Sequence, residues 1–167
     1  MTVSIRLAAR SDAPAMAELI NSIIAIGGTT AYEEPFDAVS MDAAYISLPE
    51  LVSCFVAESD GKIVGFQGLM RSFEDDDPFP DDWGIIGTFA EVGLVRRGVG
   101  AALFTRTVEA ARAARIRTID ATIRADNTGG LAFYTRLGFQ DYDRLLARPL
   151  NDGTLVDRIR KRYDVPA

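Results

Sequence analysis

Residues 83–116 constrain the fold most, because an apolar segment passes through a glycine-bearing turn (residues 95–100) into a helical pattern. The apolar positions before the turn are typical of a short strand and are Ile85, Ile86, Phe89 and Val92. The positions after it recur at helical spacing and are Leu103, Phe104, Thr107, Val108 and Ala111. Such a turn directs several backbone N–H groups and the positive end of the helix dipole at one point. The stretch therefore predicts either an anion site, usually for phosphate, or a tight turn without a ligand.

Two common phosphate-binding motifs are excluded at this turn. A dinucleotide fingerprint requires a third Gly or Ala where Leu103 stands, and a P-loop requires Gly-Lys followed by Ser or Thr. Neither pattern is present after Gly98 and Gly100.

Length and composition predict one domain over residues 1–167. The hydrophobic fraction of 48% and the charged fraction of 25% are ordinary for a globular protein. The apolar runs are too short for a membrane span, and residues 1–10 lack the core of a signal peptide, so we expect no membrane partner. The single cysteine, Cys54, lies in an apolar, strand-like run and is expected in the core. A reducing cytoplasm is the expected location.

The chain contains no histidine, which limits the chemistry it can perform. A general base must be a carboxylate, a tyrosine, a chain terminus or a chain of water molecules. A histidine-based triad and a zinc site are both excluded, so we expect no metal.

The net charge of −6 is unevenly distributed along the chain. Residues 1–91 hold 16 acidic and 4 basic side chains, whereas residues 92–167 hold 8 acidic and 14 basic ones. The acidic total argues against a nucleic-acid partner. The split fits a C-terminal half that faces a phosphorylated ligand, or a distribution of surface charge without a function.

The element order predicts an α/β domain with a mixed central sheet and flanking helices, β-α-α-β-β-β-α-β-α-β-β. Strands are expected over residues 2–7, 53–58, 62–70, 118–123, 139–150 and 154–163, besides the strand near residue 85. Helices are expected from residues 11–14 to Gly27, over 40–46, after Gly98 and over 127–137. Gly138 ends the last helix as a C-terminal glycine.

Two blocks of sequence carry a resemblance to a known family. Residues 96–101 read Arg-Arg-Gly-Val-Gly-Ala, and residues 127–139 read Asn-Thr-Gly-Gly-Leu-Ala-Phe-Tyr-Thr-Arg-Leu-Gly-Phe. The first block resembles the pyrophosphate loop of the GNAT superfamily of N-acetyltransferases, Gln/Arg-x-x-Gly-x-Gly/Ala. The second resembles that family's Asn-x-x-Ala-x-x-x-Tyr-x-x-x-Gly-Phe segment. One position departs from the pattern, because Val95 stands where the family has Gln or Arg.

The resemblance implies an α/β fold of the GNAT type and acetyl-CoA as co-substrate. Backbone groups of the loop would hold the pyrophosphate, and the pantetheine arm would lie along residues 88–92 like an added strand. A backbone N–H near Phe89 or Ala90 is then the expected oxyanion donor. The cofactor-binding residues implied are Phe89, Ala90, Val92, Val95, Arg96, Arg97, Gly98, Val99, Gly100, Ala101 and Asn127. Asn127 is equally suited to capping the helix that follows it.

The resemblance also implies catalytic residues. Tyr134 matches the family's general-acid tyrosine, which would protonate the leaving thiolate; the alternative is a tyrosine that packs on the sheet beside Phe133. For deprotonating the amine, Glu91 is the candidate closest in sequence to the reacting centre. Asp82, the loop carboxylates at residues 33–34 and a water relay are the alternatives.

The stretch Thr-Thr-Ala-Tyr-Glu-Glu-Pro at residues 29–35 resembles a loop of the branch that acetylates phosphinothricin and some amino-acid analogues. It implies that Tyr32, Glu33 and Glu34 contact the acceptor. We therefore expect an acetyl-CoA-dependent N-acetyltransferase that transfers the acetyl group directly to the primary amine of a small molecule. A protein or peptide N-acetyltransferase and a non-catalytic acyl-CoA-binding domain are the alternatives. A homodimer is common among similar proteins and is one assembly that the resemblance allows for this chain.

Overall fold

A computed structural model describes residues 2–72, 79–93 and 98–167. The strands are β1 (Ser4–Leu7), β2 (Leu51–Ser59), β3 (Lys62–Met70), β4 (Trp83–Ala90), β5 (Thr118–Arg124), β6 (Gln140–Pro149) and β7 (Leu155–Asp164). The helices are α1 (Ala13–Ile26), α2 (Ala38–Tyr45), α3 (Val99–Ala113) and α4 (Thr128–Leu137). This mixed α/β arrangement confirms the predicted fold class and element order.

The strands form one sheet in the order β1-β2-β3-β4-β5-β7-β6. Neighbouring strands are antiparallel from β1 to β4 and again across β5, β7 and β6, whereas β4 and β5 are parallel. The single parallel pair lies in the middle of the sheet, where α3 supplies the crossover connection that parallel strands need.

Helices cover both faces of the sheet. Met16, Ile20 and Met41 from α1 and α2 are buried against Phe66 of β3 on one face. On the other face, helices α3 and α4 contribute a second core with strands β3, β4 and β5. Its buried members include Leu69, Ile86, Phe104, Ile119 and Tyr134. Strands β2 and β3 are therefore buried on both sides over most of their length, which explains their nearly continuous apolar sequences.

Element boundaries differ from the predicted ones mainly where a cap sets them. Helix α2 begins two residues earlier than expected, because Asp37 caps it: its Oδ1 accepts the Ser40 N–H at 2.7 Å, and its N–H donates to Ser40 Oγ at 3.0 Å. Strand β4 ends at Ala90, and Val92 lies beyond it in a turn with 65% of its surface exposed. Within the described ranges, no helix is long and apolar enough to cross a bilayer.

Candidate active site

The two parallel strands at the centre of the sheet part soon after they begin. Strand β4 pairs with β5 at three positions, and the last pair joins Ile85 to Asp120. Beyond it, β4 continues to Ala90 and β5 to Arg124, and the register pairs none of these described residues across the gap. The gap between the strands exposes one backbone edge of β4, which is the kind of edge that binds an extended ligand as an added strand.

The backbone edge that faces the gap can be assigned from alternation along β4. The N–H of Glu91 donates to the Val64 carbonyl of β3 at 2.9 Å. Because successive residues of a strand point their backbone groups to opposite sides, Gly87 and Phe89 also face β3. The N–H groups of Thr88 and Ala90 consequently face the gap, whereas that of Ile86 completes the last pairing with Asp120 of β5. Of the two predicted oxyanion donors, the Ala90 N–H points into the gap and the Phe89 N–H points away from it.

A chain of three polar side chains lies on the face of β4 that α4 covers. Tyr134 donates its hydroxyl hydrogen to Thr88 Oγ1 at 2.9 Å, and Gln67 Nε2 donates to the same oxygen at 2.9 Å. Gln67 lies directly opposite Thr88 in the β3–β4 register and is fully buried. The Tyr134 hydroxyl is therefore held at the part of β4 that lines the gap.

Burial sets the acidity of this tyrosine. Tyr134 is 6% exposed, and its removal from water raises the pKa of the phenol from 10 to about 12. The hydrogen bond with Thr88 acts in the opposite direction, and the negative charge of Asp120 raises the pKa further. Tyr134 is protonated throughout the neutral range and can act as an acid there.

A second buried tyrosine lies on the opposite face of β4. The Tyr45 hydroxyl lies 3.3 Å from the position that a Cβ on Gly87 would take, and 2.9 Å from the hydroxyl of Tyr32. The Tyr45 ring packs edge-on against Phe66 and Phe89, at 5.3 and 5.9 Å between centroids. The ring of Tyr32 also packs near that of Phe89, with 6.0 Å between the centroids, and 40% of the surface of Tyr32 is exposed. These rings form an aromatic wall on the face covered by α1 and α2.

Tyr32 belongs to the α1–α2 loop (residues 27–37), which reaches across to the C-terminal part of the chain. Asn127 Nδ2 donates to the Thr29 carbonyl at 3.1 Å, and Arg124 Nη1 donates to the Thr30 carbonyl at 3.4 Å. The loop therefore connects the α1 side of the molecule to the ends of β5 and α4, on the far side of the gap.

Two further contacts of the loop involve the turn between β6 and β7. The backbone N–H of Asn151 donates to both carboxylate oxygens of Glu33, at 2.9 and 3.0 Å, and its Nδ2 donates to Glu34 at 2.9 Å. The loop, Ser40 and Asn151 line an open pocket of about 420 Å³. The structure thus places Tyr32, Glu33 and Glu34 at one pocket, and their role as acceptor-binding residues stays a prediction.

The glycine turn is described from Gly98 onward. Gly98 has φ +78°, a left-handed conformation that favours glycine, and it precedes the first residue of α3. Gly100 lies under the ring of Phe133, where an added Cβ would approach the ring to 2.7 Å. Val99 is buried and Ala101 is exposed at the first turn of α3. The predicted contacts of Val95, Arg96 and Arg97 lie outside the described residues.

Asn127 caps helix α4, which is one of the two roles predicted for it. Its Oδ1 accepts the Gly130 N–H at 2.9 Å at the start of α4, while its Nδ2 contacts the α1–α2 loop. Glu91 forms an ion pair with Lys62 at 2.8 Å, and 36% of its side chain is exposed. Its proposed role as a base stays a prediction, as does the cofactor contact of Val92.

Thr88, Gln67 and Tyr45 are site residues that sequence reasoning missed. Thr88 was considered only for its backbone, and Gln67 was part of an ordinary strand. The signal for Tyr45 was Gly87, because a glycine inside a strand marks a place where another group approaches closely. The buried Cys54, whose pKa burial raises to about 12, lies in the core as expected.

Comparison with known proteins identifies the family. The model of the acetyltransferase (GNAT) family matches residues 18–139. The chain belongs to this family, which confirms the resemblance seen in the two sequence blocks. An uncharacterized N-acetyltransferase of Methanocaldococcus jannaschii is 30% identical over 87 residues, which are 52% of this chain and 38% of that protein. The chain thus spans well under half the length of this curated relative.

Solved structures show the same fold. An N-acetyltransferase from Staphylococcus aureus Mu50 is 19% identical, with a TM-score of 0.86 over 99% of this chain and 100% of that chain. A GNAT superfamily phosphinothricin acetyltransferase from Sinorhizobium meliloti, in complex with acetyl-CoA, is 19% identical, with a TM-score of 0.82 over 99% of this chain and 89% of that one.

Proposed function

We propose that the protein transfers an acetyl group from acetyl-CoA directly to the primary amine of a small molecule, such as an amino acid or an analogue. The observation that carries this proposal is the free backbone edge of β4 beside a buried tyrosine hydroxyl. Acyl transfer from acetyl-CoA is favoured by a backbone edge that binds the pantetheine arm, a donor for the carbonyl oxygen and an acid for the leaving thiol. The described residues of β4 and α4 supply all three.

The free edge of β4 fits an extended pantetheine arm. The N–H groups of Thr88 and Ala90, which face the gap, match the carbonyl acceptors of the amides that such an arm carries. The left-handed Gly98 lets the backbone approach a phosphate at the start of α3, where the helix dipole is favourable. When bound, acetyl-CoA supplies the activated acetyl group as a thioester.

Two groups of the chain would then act on the reacting atoms. The Ala90 N–H donates a hydrogen bond to the carbonyl oxygen as negative charge develops on it, an effect of roughly 2.7–4 kcal/mol in other acyl-transfer enzymes. Tyr134 donates its proton to the departing thiolate. Because a thiol has a pKa of about 8.5, the thiolate leaves fairly well without help, and the acid contributes a moderate factor.

The opposite face of β4 is the proposed acceptor side. The aromatic wall of Tyr32, Tyr45 and Phe89 offers apolar contact, and the loop carboxylates Glu33 and Glu34 favour a positively charged amine. Glu91 is the proposed acceptor of the amine proton, reached through water, with Glu33 and Glu34 as alternatives. The name of the Sinorhizobium meliloti protein supports a small acceptor.

The α1–α2 loop also favours a small acceptor over a protein or peptide. It crosses the gap and contacts Arg124, Asn127 and Asn151 on the far side. A polypeptide substrate needs an uninterrupted groove at this position, whereas these contacts hold the loop across it. A cytoplasmic location and a homodimer stay predictions.

The test is thiol release from acetyl-CoA, measured against amino acids, polyamines, aminoglycosides and peptides. We expect turnover with at least one small amine and none with peptides. Calorimetry of acetyl-CoA binding to the wild type, set beside the turnover data, separates a binding protein from an enzyme. The same measurement on Gly98→Val tests whether the turn at Gly98 binds the phosphate. Measurable binding without turnover on any acceptor would contradict the proposal, and unaltered affinity in folded Gly98→Val would contradict the phosphate assignment.

A further inference from the structure

The hydroxyl of Thr88 accepts two hydrogen bonds at once. Gln67 Nε2 and Tyr134 Oη both donate to Thr88 Oγ1 at 2.9 Å. A hydroxyl oxygen has two acceptor sites and one hydrogen to donate. Both acceptor sites are therefore in use, and the hydrogen of Thr88 takes part in neither bond.

The two donors differ in whether their bond can reverse. The amide nitrogen of Gln67 has two hydrogens to donate and no acceptor site, so it can only donate. The Tyr134 hydroxyl can donate or accept, and so can the hydroxyl of Thr88. The bond between Thr88 and Tyr134 can consequently change direction while Gln67 continues to hold the threonine oxygen in place.

We propose that Thr88 is a positioning residue for Tyr134, and that Gln67 orients Thr88 for this role. This inference rests on the proposed function. As the thiolate leaves, the Tyr134 O–H bond breaks and an S–H bond forms, so the negative charge moves from sulfur to the phenol oxygen. Thr88 turns its hydrogen toward that oxygen and stabilises the charge; the thiol leaves with the transferred proton, and solvent supplies a new proton to Tyr134.

The unpaired end of the Gln67 amide supports this role. Gln67 is 0% exposed, and its Oε1 has no hydrogen-bond partner among the residues that the structure describes. Burying a polar atom without a partner lowers stability, whereas an apolar side chain of the same shape would avoid that cost. A glutamine at this position is therefore explained better by what its N–H group does for Thr88 than by stability.

The acidity of Tyr134 is consistent with the same role. Burial raises the pKa of the phenol, and the bond to Thr88 lowers it. A hydroxyl that donates to the anion favours the charged form, which makes the buried phenol a stronger acid. Without the Thr88 hydroxyl, this bond would no longer counteract the effect of burial, and the pKa of Tyr134 would rise.

The kinetic experiment compares Thr88→Val with the matched control Thr107→Val. Thr107 is also buried, and its hydroxyl donates to the Leu103 carbonyl within α3, away from the gap. We expect Thr88→Val to lower kcat by about 5- to 10-fold, a part of what a general acid contributes, with KM for acetyl-CoA within about twofold. Thr88→Ser should restore kcat to within about threefold, and Thr107→Val should leave it unchanged.

The second experiment needs no acetyl-CoA. Urea unfolding of Thr88→Val, Tyr134→Phe and the double variant should give a coupling of about 3- to 10-fold in the unfolding equilibrium constant, as expected of one hydrogen bond. Gln67→Met should melt at the same temperature as the wild type or higher, yet lower kcat by about 2- to 5-fold. Should Thr88→Val not fold, Thr88→Ala carries the same kinetic expectation.

The outcomes separate this inference from the proposed function. Absence of turnover by the wild type contradicts the function, whereas the unfolding coupling still tests the hydrogen bond. An active wild type with an unchanged kcat in Thr88→Val overturns the inference alone. Additive effects of Thr88→Val and Tyr134→Phe on kcat would overturn it too, because a residue that acts through Tyr134 adds nothing once that hydroxyl is gone.

Discussion

Tyr134 and Tyr45, two buried tyrosines, approach β4 from opposite faces of the sheet, and their hydroxyls end at neighbouring residues. The hydroxyl of Tyr134 bonds to Thr88, a residue of the strand itself. That of Tyr45 lies against Gly87 and bonds to Tyr32, a residue of the α1–α2 loop. The first bond depends on the register of the sheet, whereas the second depends on where the loop lies.

The difference separates two tasks. A group held by the central sheet keeps a fixed position relative to the reacting atoms, which suits proton transfer. A group held by a loop can adapt to different acceptors, which suits recognition. We therefore expect changes on the Tyr134 face to alter kcat and changes on the Tyr45 face to alter stability or the KM of the acceptor.

The largest effect is expected from Tyr134→Phe, which should lower kcat by about 10- to 100-fold because it removes the proposed acid for the leaving thiol. Tyr45→Phe is the matched comparison, since it removes one hydroxyl from the other face, and it should act mainly on the KM of the acceptor. Steady-state kinetics with both substrates varied measures both effects. Equal losses of kcat in the two variants would abolish the distinction between the faces.

Gly68→Ala should destabilise the protein by about 1–3 kcal/mol through overpacking on the Tyr45 face. An added Cβ would lie 2.7 Å from the Tyr45 ring, and that ring is 2% exposed and has little room to move. Urea unfolding measures the loss. Gly129→Ala is the control, because its Cβ would meet its nearest neighbour at 3.9 Å within a helix; it should be neutral or stabilising.

Both tyrosines should make the protein sensitive to alkali. Burial raises the pKa of Tyr134 to about 12 and that of Tyr45 well above its usual value, so the unfolded chain loses these protons first. The contribution of these two protonated tyrosines to the free energy of unfolding is then fully present below pH 10 and is lost as the pH rises above it. Tyr134→Phe should remove on the order of 1 kcal/mol of the loss at pH 11. Urea unfolding at pH 8 and pH 11 checks this, and an identical loss in the variant would show that Tyr134 ionises freely.

The smallest effect is expected at the contact between the loop and the β6–β7 turn. Asn151→Ala removes the bond from Nδ2 to Glu34 and retains the backbone bond to Glu33. One exposed hydrogen bond of this kind is worth about 0.5–1 kcal/mol, so the KM of the acceptor should rise by about 2- to 5-fold with kcat unchanged. A fall in kcat instead would mean that the loop also positions the reacting groups.

Much of the fold could be predicted because local patterns determine it. The period change around Gly98 and the end of the last helix at Gly138 both depend on residues close in sequence. The parting of β4 and β5 after Ile85 could not be predicted in this way. It depends on how two strands separated by a whole helix align, and neither strand sequence specifies that.

The candidate site shows the same limit. The proposed acid Tyr134 and the cap Asn127 could be predicted because they belong to a short motif. The partners of the loop carboxylates could not be found, because Asn151 lies 118 residues after Glu33 in the chain. Thr88 and Gln67 meet through strand register, and each is unremarkable in its own segment.

Beyond its short pairing with β5, strand β4 is hydrogen-bonded only to β3, and this has a consequence for hydrogen exchange. In the free protein, the amide hydrogens of Gly87, Phe89 and Glu91, which face β3, should exchange slowly with solvent. Those of Thr88 and Ala90, which face the gap, should exchange fast. Slow and fast positions therefore alternate along one strand, and an extended ligand in the gap would slow only the fast set, leaving a footprint with a period of two residues.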